Sequence, residues 1–147
     1  MPAMLQTPYE AGRMFANDYA GKRVRLCLAN NTSGLGMTST TAQWDAAELS
    51  GNGYARYEWT VPSGAYNSTT ERFEAPNVLA TFQASGGGAG LSWNTAYLVI
   101  GTISGGVTTW GTGVSYILVE SPTVALAPGE PRGYNVLLYT DGFTVTA

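Results

Sequence analysis

Short segments of this chain alternate between apolar and polar residues, as strands with one buried face do. In residues 54–61 every second position is apolar, namely Ala55, Tyr57, Trp59 and Val61. The same alternation places Arg56 on the outer face of the predicted strand. The preceding Gly51-Asn52-Gly53 favours a tight turn, because glycine and asparagine tolerate positive φ angles. Residues 51–61 are therefore predicted to form a turn followed by a half-buried strand.

Other segments predict further short strands. Two of them alternate, and their inward-facing positions are Val24, Leu26 and Leu28 in one and Val78, Ala80, Phe82 and Ala84 in the other. Apolar runs follow at 96–103, 114–120 and 134–140, and residues 143–147 predict a last strand. Short strands linked by turns are typical of an antiparallel β-sandwich. We therefore predict a mainly β fold, immunoglobulin-like or jelly-roll-like, with residues 1–147 as a single domain.

Residues 7–20 form the one segment with a helical pattern. Thr7 is suited to cap a helix, Pro8 to its first position, and Glu10 completes a T-x-x-E capping box. The stripe that would face the protein body consists of Ala11, Phe15 and Tyr19. Because this stripe is short, the predicted N-terminal helix must dock on the sandwich to be stable.

Residues 31–53 are rich in Thr, Ser, Gly and Asn and predict a long excursion between strands. Trp44 and Leu49 are the large apolar residues that we expect to pin this excursion to the protein body.

Three predicted strands are apolar on both faces, at residues 97–100, 116–119 and 136–139. The outer face of an antiparallel sandwich normally meets water and is polar. The N-terminal helix can cover one of these strands, and we expect neighbouring subunits to cover the rest. The pattern therefore predicts a homo-oligomer.

The charge pattern argues against a nucleic-acid partner, and the hydropathy pattern argues against a membrane partner. Charged residues make up 12% of the chain, the net charge is −3, and the one dense basic group is Lys22-Arg23-Arg25, which a strand splits over two faces. Nucleic-acid binding needs clustered positive charge, so we predict none. No apolar stretch approaches the roughly 18 residues that span a bilayer, and no signal-peptide pattern is present, so we expect no membrane partner.

The residue types needed for common catalytic sites are scarce. The chain has no histidine, which removes Ser-His-acid and Cys-His sites and every zinc site that uses histidine. Cys27 lies in an apolar strand and is predicted to be a small buried residue. Glu71 and Glu74 are the nearest carboxylate pair, but their odd spacing on a strand points them to opposite faces. We therefore expect no catalytic residues and no enzyme activity.

No cofactor or metal site is predicted either. The glycines at 86–90 lack both phosphate-loop motifs and precede a strand. Asp45 and Glu48 are possible calcium ligands, but no EF-hand pattern surrounds them. Aromatic side chains that stack on sugar rings remain an alternative, and the candidates are Trp44, Tyr66, Trp93 and Trp110.

The order of short motifs along the chain resembles a family of small phage virion proteins. After the helix come VRLCLANN (24–31), the Thr/Ser-rich excursion, ELSGNGYARYEW (48–59), ATFQASGGGAGLSW (80–93), VALAPGE (124–130) and GFTVTA (142–147). The sharpest motif is a G-x-G-Y-A-R core, formed by Gly51, Gly53, Tyr54, Ala55 and Arg56.

This resemblance implies a non-enzymatic virion protein of the tail-fibre-like or head-decoration kind. Its partners would be other copies of itself and virion proteins such as the major capsid or tail proteins, with assembly in the host cytoplasm and residence in the virion. The alternative is a carbohydrate-binding module that recognises the receptor for a phage tail device.

The predicted interface residues are aromatic or basic positions on or near the apolar strands, namely Tyr54, Arg56, Tyr97, Tyr116 and Tyr139. For Arg56 we expect more than a solvated charge. Its planar five-donor guanidinium is suited to a partly buried contact with an acidic side chain or with backbone carbonyls of an adjacent strand or subunit.

Overall fold

The computed structural model describes residues 7–140 and 142–146. Within them the chain forms α1 (Pro8–Asp18), β1 (Arg23–Ala29), α2 (Thr41–Ala46), β2 (Tyr57–Thr60), β3 (Ala65–Asn67), β4 (Arg72–Glu74), β5 (Val78–Gln83), β6 (Leu91–Ser104), β7 (Val107–Trp110), β8 (Tyr116–Leu126), β9 (Pro131–Tyr139) and β10 (Gly142–Thr146). Ala147, the end of the predicted last strand, and Asp141 lie outside the described residues. No helix in the described ranges is long and apolar enough to span a membrane.

The strands form two antiparallel sheets. The first has the order β2-β1-β6-β7, and β8 pairs with β6 on the same edge as β7. The second has the order β10-β9-β4-β3, and β5 also pairs with β9. The prediction of a mainly β antiparallel sandwich with an N-terminal helix is therefore confirmed.

The main core lies between the two sheets. Its buried side chains include the predicted inward positions of β1 and three of the four predicted for residues 78–84. The largest members are Trp93, Tyr134, Tyr19, Phe15 and Phe82. The indole Nε1 of Trp93 donates a hydrogen bond of 2.9 Å to the Tyr134 hydroxyl, so a polar group within this core is satisfied.

Helix α1 covers one end of the second sheet, as the sequence predicts. The Thr7 hydroxyl accepts a hydrogen bond from the Glu10 N–H, which caps the first turn. Phe15 is buried, and its ring lies 5.2 Å from that of Phe73 on β4. Gly12 permits this approach, because a Cβ there would lie 3.2 Å from the Phe73 ring. Docking on β3 and β4 thus stabilises a helix with a narrow apolar stripe.

The segment 54–61 follows its predicted alternation only from Tyr57 onward. Strand β2 starts at Tyr57, where Tyr57 and Trp59 are half-buried on the inward side and Val61 is buried. Ala55 is exposed, so its assignment to the inner face is wrong. The reason is that Tyr54 and Arg56 are held by side-chain contacts to the excursion before the strand begins.

The second face of β1 and β6 is covered by the chain itself. Cys27, Tyr97 and Val99 point away from the main core and pack with Trp44 of α2 in a second apolar cluster. The Trp44 and Tyr97 ring centres lie 5.5 Å apart. The expectation that the N-terminal helix or a neighbouring subunit covers residues 97–100 is therefore wrong, whereas the expectation that Trp44 pins the excursion is confirmed.

Helix α2 is an element that the sequence prediction omitted. Its N-cap Thr40 accepts a hydrogen bond from the Gln43 N–H, and the Gln43 side chain accepts one from the Thr40 N–H. This reciprocal capping box has a sequence signature in T-T-A-Q at 40–43. The helix has six residues, too short to show an apolar stripe, and burial of Trp44 holds it in place.

Replacing Trp44 by Ala should destabilise the protein by about 3–5 kcal/mol, because it removes a large buried ring from the second cluster. The matched control is Met37→Ala, which changes a side chain that is 88% exposed in the same excursion. Urea unfolding monitored by circular dichroism gives both values. If the two variants unfold at the same urea concentration, the excursion is not an integral layer of the fold.

Candidate functional site

A group of polar side chains lies between the outer face of β1 and β6 and the excursion that covers it. We call this group the polar cluster, and its members are Arg25, Asp45, Glu48, Tyr54, Arg56 and Tyr97. Strands β1 and β6 supply two members, α2 and the residues after it supply two, and the segment before β2 supplies two.

Arg25 and Asp45 form the more deeply buried half of the polar cluster. The Arg25 Nη2 donates a 2.8 Å hydrogen bond to Asp45 Oδ2, and the Tyr97 hydroxyl donates one of 2.8 Å to Asp45 Oδ1. The Arg25 side chain is 2% exposed, and its guanidinium carbon lies 4.8 Å from the centre of the Trp110 ring. Burial opposes its charge, but the hydrogen bond to Asp45 and nearby negative groups raise the pKa of Arg25, so it remains cationic.

Glu48 is the centre of the other half. Its Oε1 accepts hydrogen bonds from the Tyr54 hydroxyl at 2.8 Å and from Arg56 Nε at 3.1 Å, while Arg56 Nη2 donates to Oε2. The Tyr54 hydroxyl also accepts a 3.0 Å hydrogen bond from the Leu28 N–H on β1. Arg56 therefore makes the predicted partly buried contact with an acidic side chain, and its partner lies in the same chain.

The turn before Tyr54 fits closely against another loop. Asn52 and Gly53 have φ angles of 53° and 85°, and the Ser85 N–H donates a 2.8 Å hydrogen bond to the Asn52 carbonyl. A Cβ on Gly53 would lie 2.7 Å from the Ser85 nitrogen, closer than real Cβ atoms come. Glycine at 53 is thus required both by its φ angle and by the approach of this loop.

The G-x-G-Y-A-R core therefore has an internal structural role in this chain. Its glycines make the turn that docks on the 83–90 loop, and its Tyr54 and Arg56 hold Glu48 at the end of the excursion. The motif therefore connects three segments of one subunit, namely the end of the excursion, the start of β2 and the 83–90 loop.

The predicted interface residues differ in how much surface they offer. Tyr97 is wrong as an interface residue, because it is 0% exposed beneath the excursion. Tyr116 is half-buried with its hydroxyl 2.8 Å from that of Tyr19, and Tyr139 is half-buried with the Arg72 guanidinium 3.8 Å from its ring centre. Tyr54 and Arg56 are also half-buried, and the role of these four residues in an interface stays a prediction.

Two of the four aromatic candidates for sugar stacking lie in the interior. Trp44 is 2% exposed and Trp93 is 0% exposed, so neither ring can receive a ligand in this fold. Tyr66 and Trp110 are half-buried and line two separate clefts on the surface.

Sequence analysis did not recognise Arg25 and Asp45 as partners. Arg25 shares its strand face with Cys27 and Ala29, both small and apolar, which signals an arginine under a covering layer. An arginine at such a position needs an acid from outside its own strand. Which acidic residue pairs with Arg25 depends on how the excursion folds, and strand periodicity contains no information about that fold.

The carboxylates and the thiol described here are buried or engaged in hydrogen bonds within the chain. Glu48 accepts three hydrogen bonds, from the side chains of Tyr54 and Arg56, and Glu74 accepts them from Asn67, Thr70 and Arg72. Cys27 is buried, and burial raises the pKa of its thiol. Within the described ranges no three His, Cys, Asp or Glu side chains are grouped to hold a metal ion.

No family model, no curated protein and no solved structure matches this chain. The resemblance to small phage virion proteins therefore stays a prediction from the short motifs.

Replacing Arg56 by Ala should lower the free energy of unfolding by about 1.5–3 kcal/mol, because the mostly buried Glu48 loses a charged donor. Arg56→Lys should cost nearly as much, since an ammonium group cannot donate in the same forked geometry. Arg13→Lys is the control, because the Arg13–Glu10 pair is exposed on α1 and should leave the unfolding midpoint unchanged. Wild-type stability of Arg56→Lys would show that the forked contact is unimportant.

Cys27 should resist modification by Ellman's reagent in the native protein and react fully in urea. The thiolate is the reactive form, and burial both raises the thiol pKa and blocks the reagent. Absorbance at the thionitrobenzoate maximum follows the reaction. Rapid release in buffer without urea would contradict the burial of this strand face.

Proposed function

We propose that this protein is a non-enzymatic structural component of a bacteriophage virion that decorates or cements the capsid or forms part of the tail or neck. The proposal combines the motif resemblance with one structural observation, the free edge of the first sheet. The partners are further copies of the chain and neighbouring virion proteins.

The free edge consists of β7 and β8, which within the described residues pair with no strand other than β6. It carries exposed apolar side chains, with Val107 67% exposed and Val119 69% exposed. Ile103, in the hairpin with β7, is 43% exposed. Edge strands of soluble monomers are usually protected by charge or by a covering segment, because their free N–H and C=O groups recruit other strands. An apolar edge of this kind favours protein–protein contact.

The acidic side chains support a structural role over an enzymatic one. Asp45, Glu48 and Glu74 each accept hydrogen bonds from an arginine of this chain. Glu71 lies in the exposed turn between β3 and β4. A general acid–base pair needs carboxylates that face a shared substrate, and those engaged here are held by internal donors.

The purified protein should have a light-scattering mass that is a multiple of 15.5 kDa at high concentration. Val119→Lys should shift this mass towards the monomer, because it places a charge on the free edge. Met37→Lys is the control, since Met37 is 88% exposed but lies in the excursion and outside every strand. A monomeric mass for wild type at all concentrations would count against self-association.

Attachment to the virion needs its own measurement. Purified protein should sediment with phage particles that lack it, and Val119→Lys should sediment less. A cryo-electron microscopy map of those particles should then show the sandwich on the capsid or on the tail. Absence of the protein from particles in both assays would contradict the proposed function.

A further inference from the structure

A cleft beside the polar cluster has the features of a ligand site. We call it the Trp110 cleft, and it lies between β1, the start of α2 and the end of β7, with a volume of about 580 Å³. The residues that matter for its chemistry are Arg25, Asp45, Arg56, Trp110 and Thr112. Small-molecule sites have volumes of about 300–1,000 Å³, so the cleft is large enough for a molecule of one or two rings.

Hydrogen-bond acceptors and donors lie side by side in the Trp110 cleft. Each carboxylate oxygen of Asp45 accepts one hydrogen bond from the protein and retains a further lone pair, and this side chain is 31% exposed. Arg56 uses Nε and Nη2 for Glu48, which leaves the two N–H groups of Nη1, and its side chain is 35% exposed. A ligand in the cleft can therefore donate to one residue and accept from the other.

Arg25 adds a donor that the protein does not satisfy. Its Nε has no hydrogen-bond partner among the described residues, although the side chain is 2% exposed. Buried donors without a partner are uncommon, and an acceptor oxygen from water or a ligand accounts for them. The Trp110 ring lies over this guanidinium and is itself half-buried, so it presents apolar surface next to the polar groups.

The charges of the site select against an anion. Arg25 is paired with Asp45, and Arg56 is paired with Glu48, so two cations are balanced by two carboxylates. No net positive charge remains to attract a phosphate or a carboxylate, and Asp45 repels them. A neutral ligand with adjacent hydroxyl groups meets the available donors and acceptors without this penalty.

We propose that the Trp110 cleft binds a neutral saccharide. One sugar hydroxyl donates to Asp45, an adjacent hydroxyl accepts from Arg56, and the C–H face of the ring packs against Trp110. This inference does not depend on the proposed virion role, because the residues that would contact the saccharide all belong to one subunit.

The test is a titration of isotope-labelled protein, followed by the indole N–H resonance of Trp110 in ¹H–¹⁵N NMR spectra. The probes are glucose, galactose, mannose, N-acetylglucosamine, maltose and lactose at millimolar concentration, with acetate and phosphate as anion probes. At least one saccharide should shift the Trp110 resonance saturably, and neither anion should. Phosphate or acetate shifts without saccharide shifts would overturn the proposal, as would no shift with any probe or saccharide shifts confined to another surface.

Variants distinguish binding in the cleft from a distant effect. Isothermal titration calorimetry gives the affinity of each variant, because Trp110→Leu has no indole resonance at this position. Trp110→Leu and Asp45→Asn should each weaken saccharide binding by about tenfold or more, since each removes or weakens one contact to the ring or its hydroxyls. Because Asp45 also holds Arg25 and Tyr97, Thr112→Arg provides a second route, placing a bulky side chain at an exposed position on the rim. Tyr66→Leu is the matched control in the separate cleft and should leave affinity unchanged. Unchanged affinity in Thr112→Arg and Trp110→Leu would overturn the assignment.

Discussion

The structure depends on covering both faces of its two central strands, β1 and β6. Every residue of β1 from Val24 to Ala29 is buried, and β6 is buried on both faces from Thr95 to Val99. One face of these strands packs on the second sheet. Exposing the other face to water would forfeit the favourable free energy of burying its apolar side chains. The excursion between β1 and β2 therefore folds back as a third layer, with Trp44 packed over Tyr97.

The polar cluster follows from that third layer. A covering segment made of Thr, Ser, Gly and Asn has few apolar side chains with which to hold itself, so directional contacts fix its position. Asp45 and Glu48 are tied to β1, to β6 and to the segment before β2 through Arg25, Tyr97 and Arg56. Burying such pairs contributes little net stability, but a wrong arrangement would leave a buried charge without a partner. Their clearest effect is to make one docking position of the excursion much better than the alternatives.

Because these charged side chains pair within the chain, other surface features must make any contact with partners or ligands. Arg56, which was predicted to make an interface contact, pairs with Glu48 of the same chain, and the buried Arg25 pairs with Asp45. The features that still face outward are of two kinds, an apolar sheet edge along β7 and β8 and a cleft beside Trp110 in which a few polar groups adjoin apolar surface. The two features suit different chemistry, and the cleft begins at Trp110, where β7 ends, whereas the most exposed apolar side chains of the edge are those of Val107 and Val119.

The sequence itself predicted α1 and most of the longer strands, but not α2, β3 or β7. Alternation in β1 and β5, the Thr7 cap of α1 and the Gly51–Gly53 turn are local, because they depend on residues a few positions apart. The buried state of Cys27 was predictable for the same reason. Only the tertiary structure decided that Arg56 binds Glu48, that Arg25 binds Asp45, and that Tyr97 is buried by α2 instead of by a partner. These contacts join segments that are far apart in sequence, so no periodic pattern predicts them. Whether a second apolar face is covered by the same chain or by another copy depends on where the excursion packs. Side-chain alternation does not encode that position.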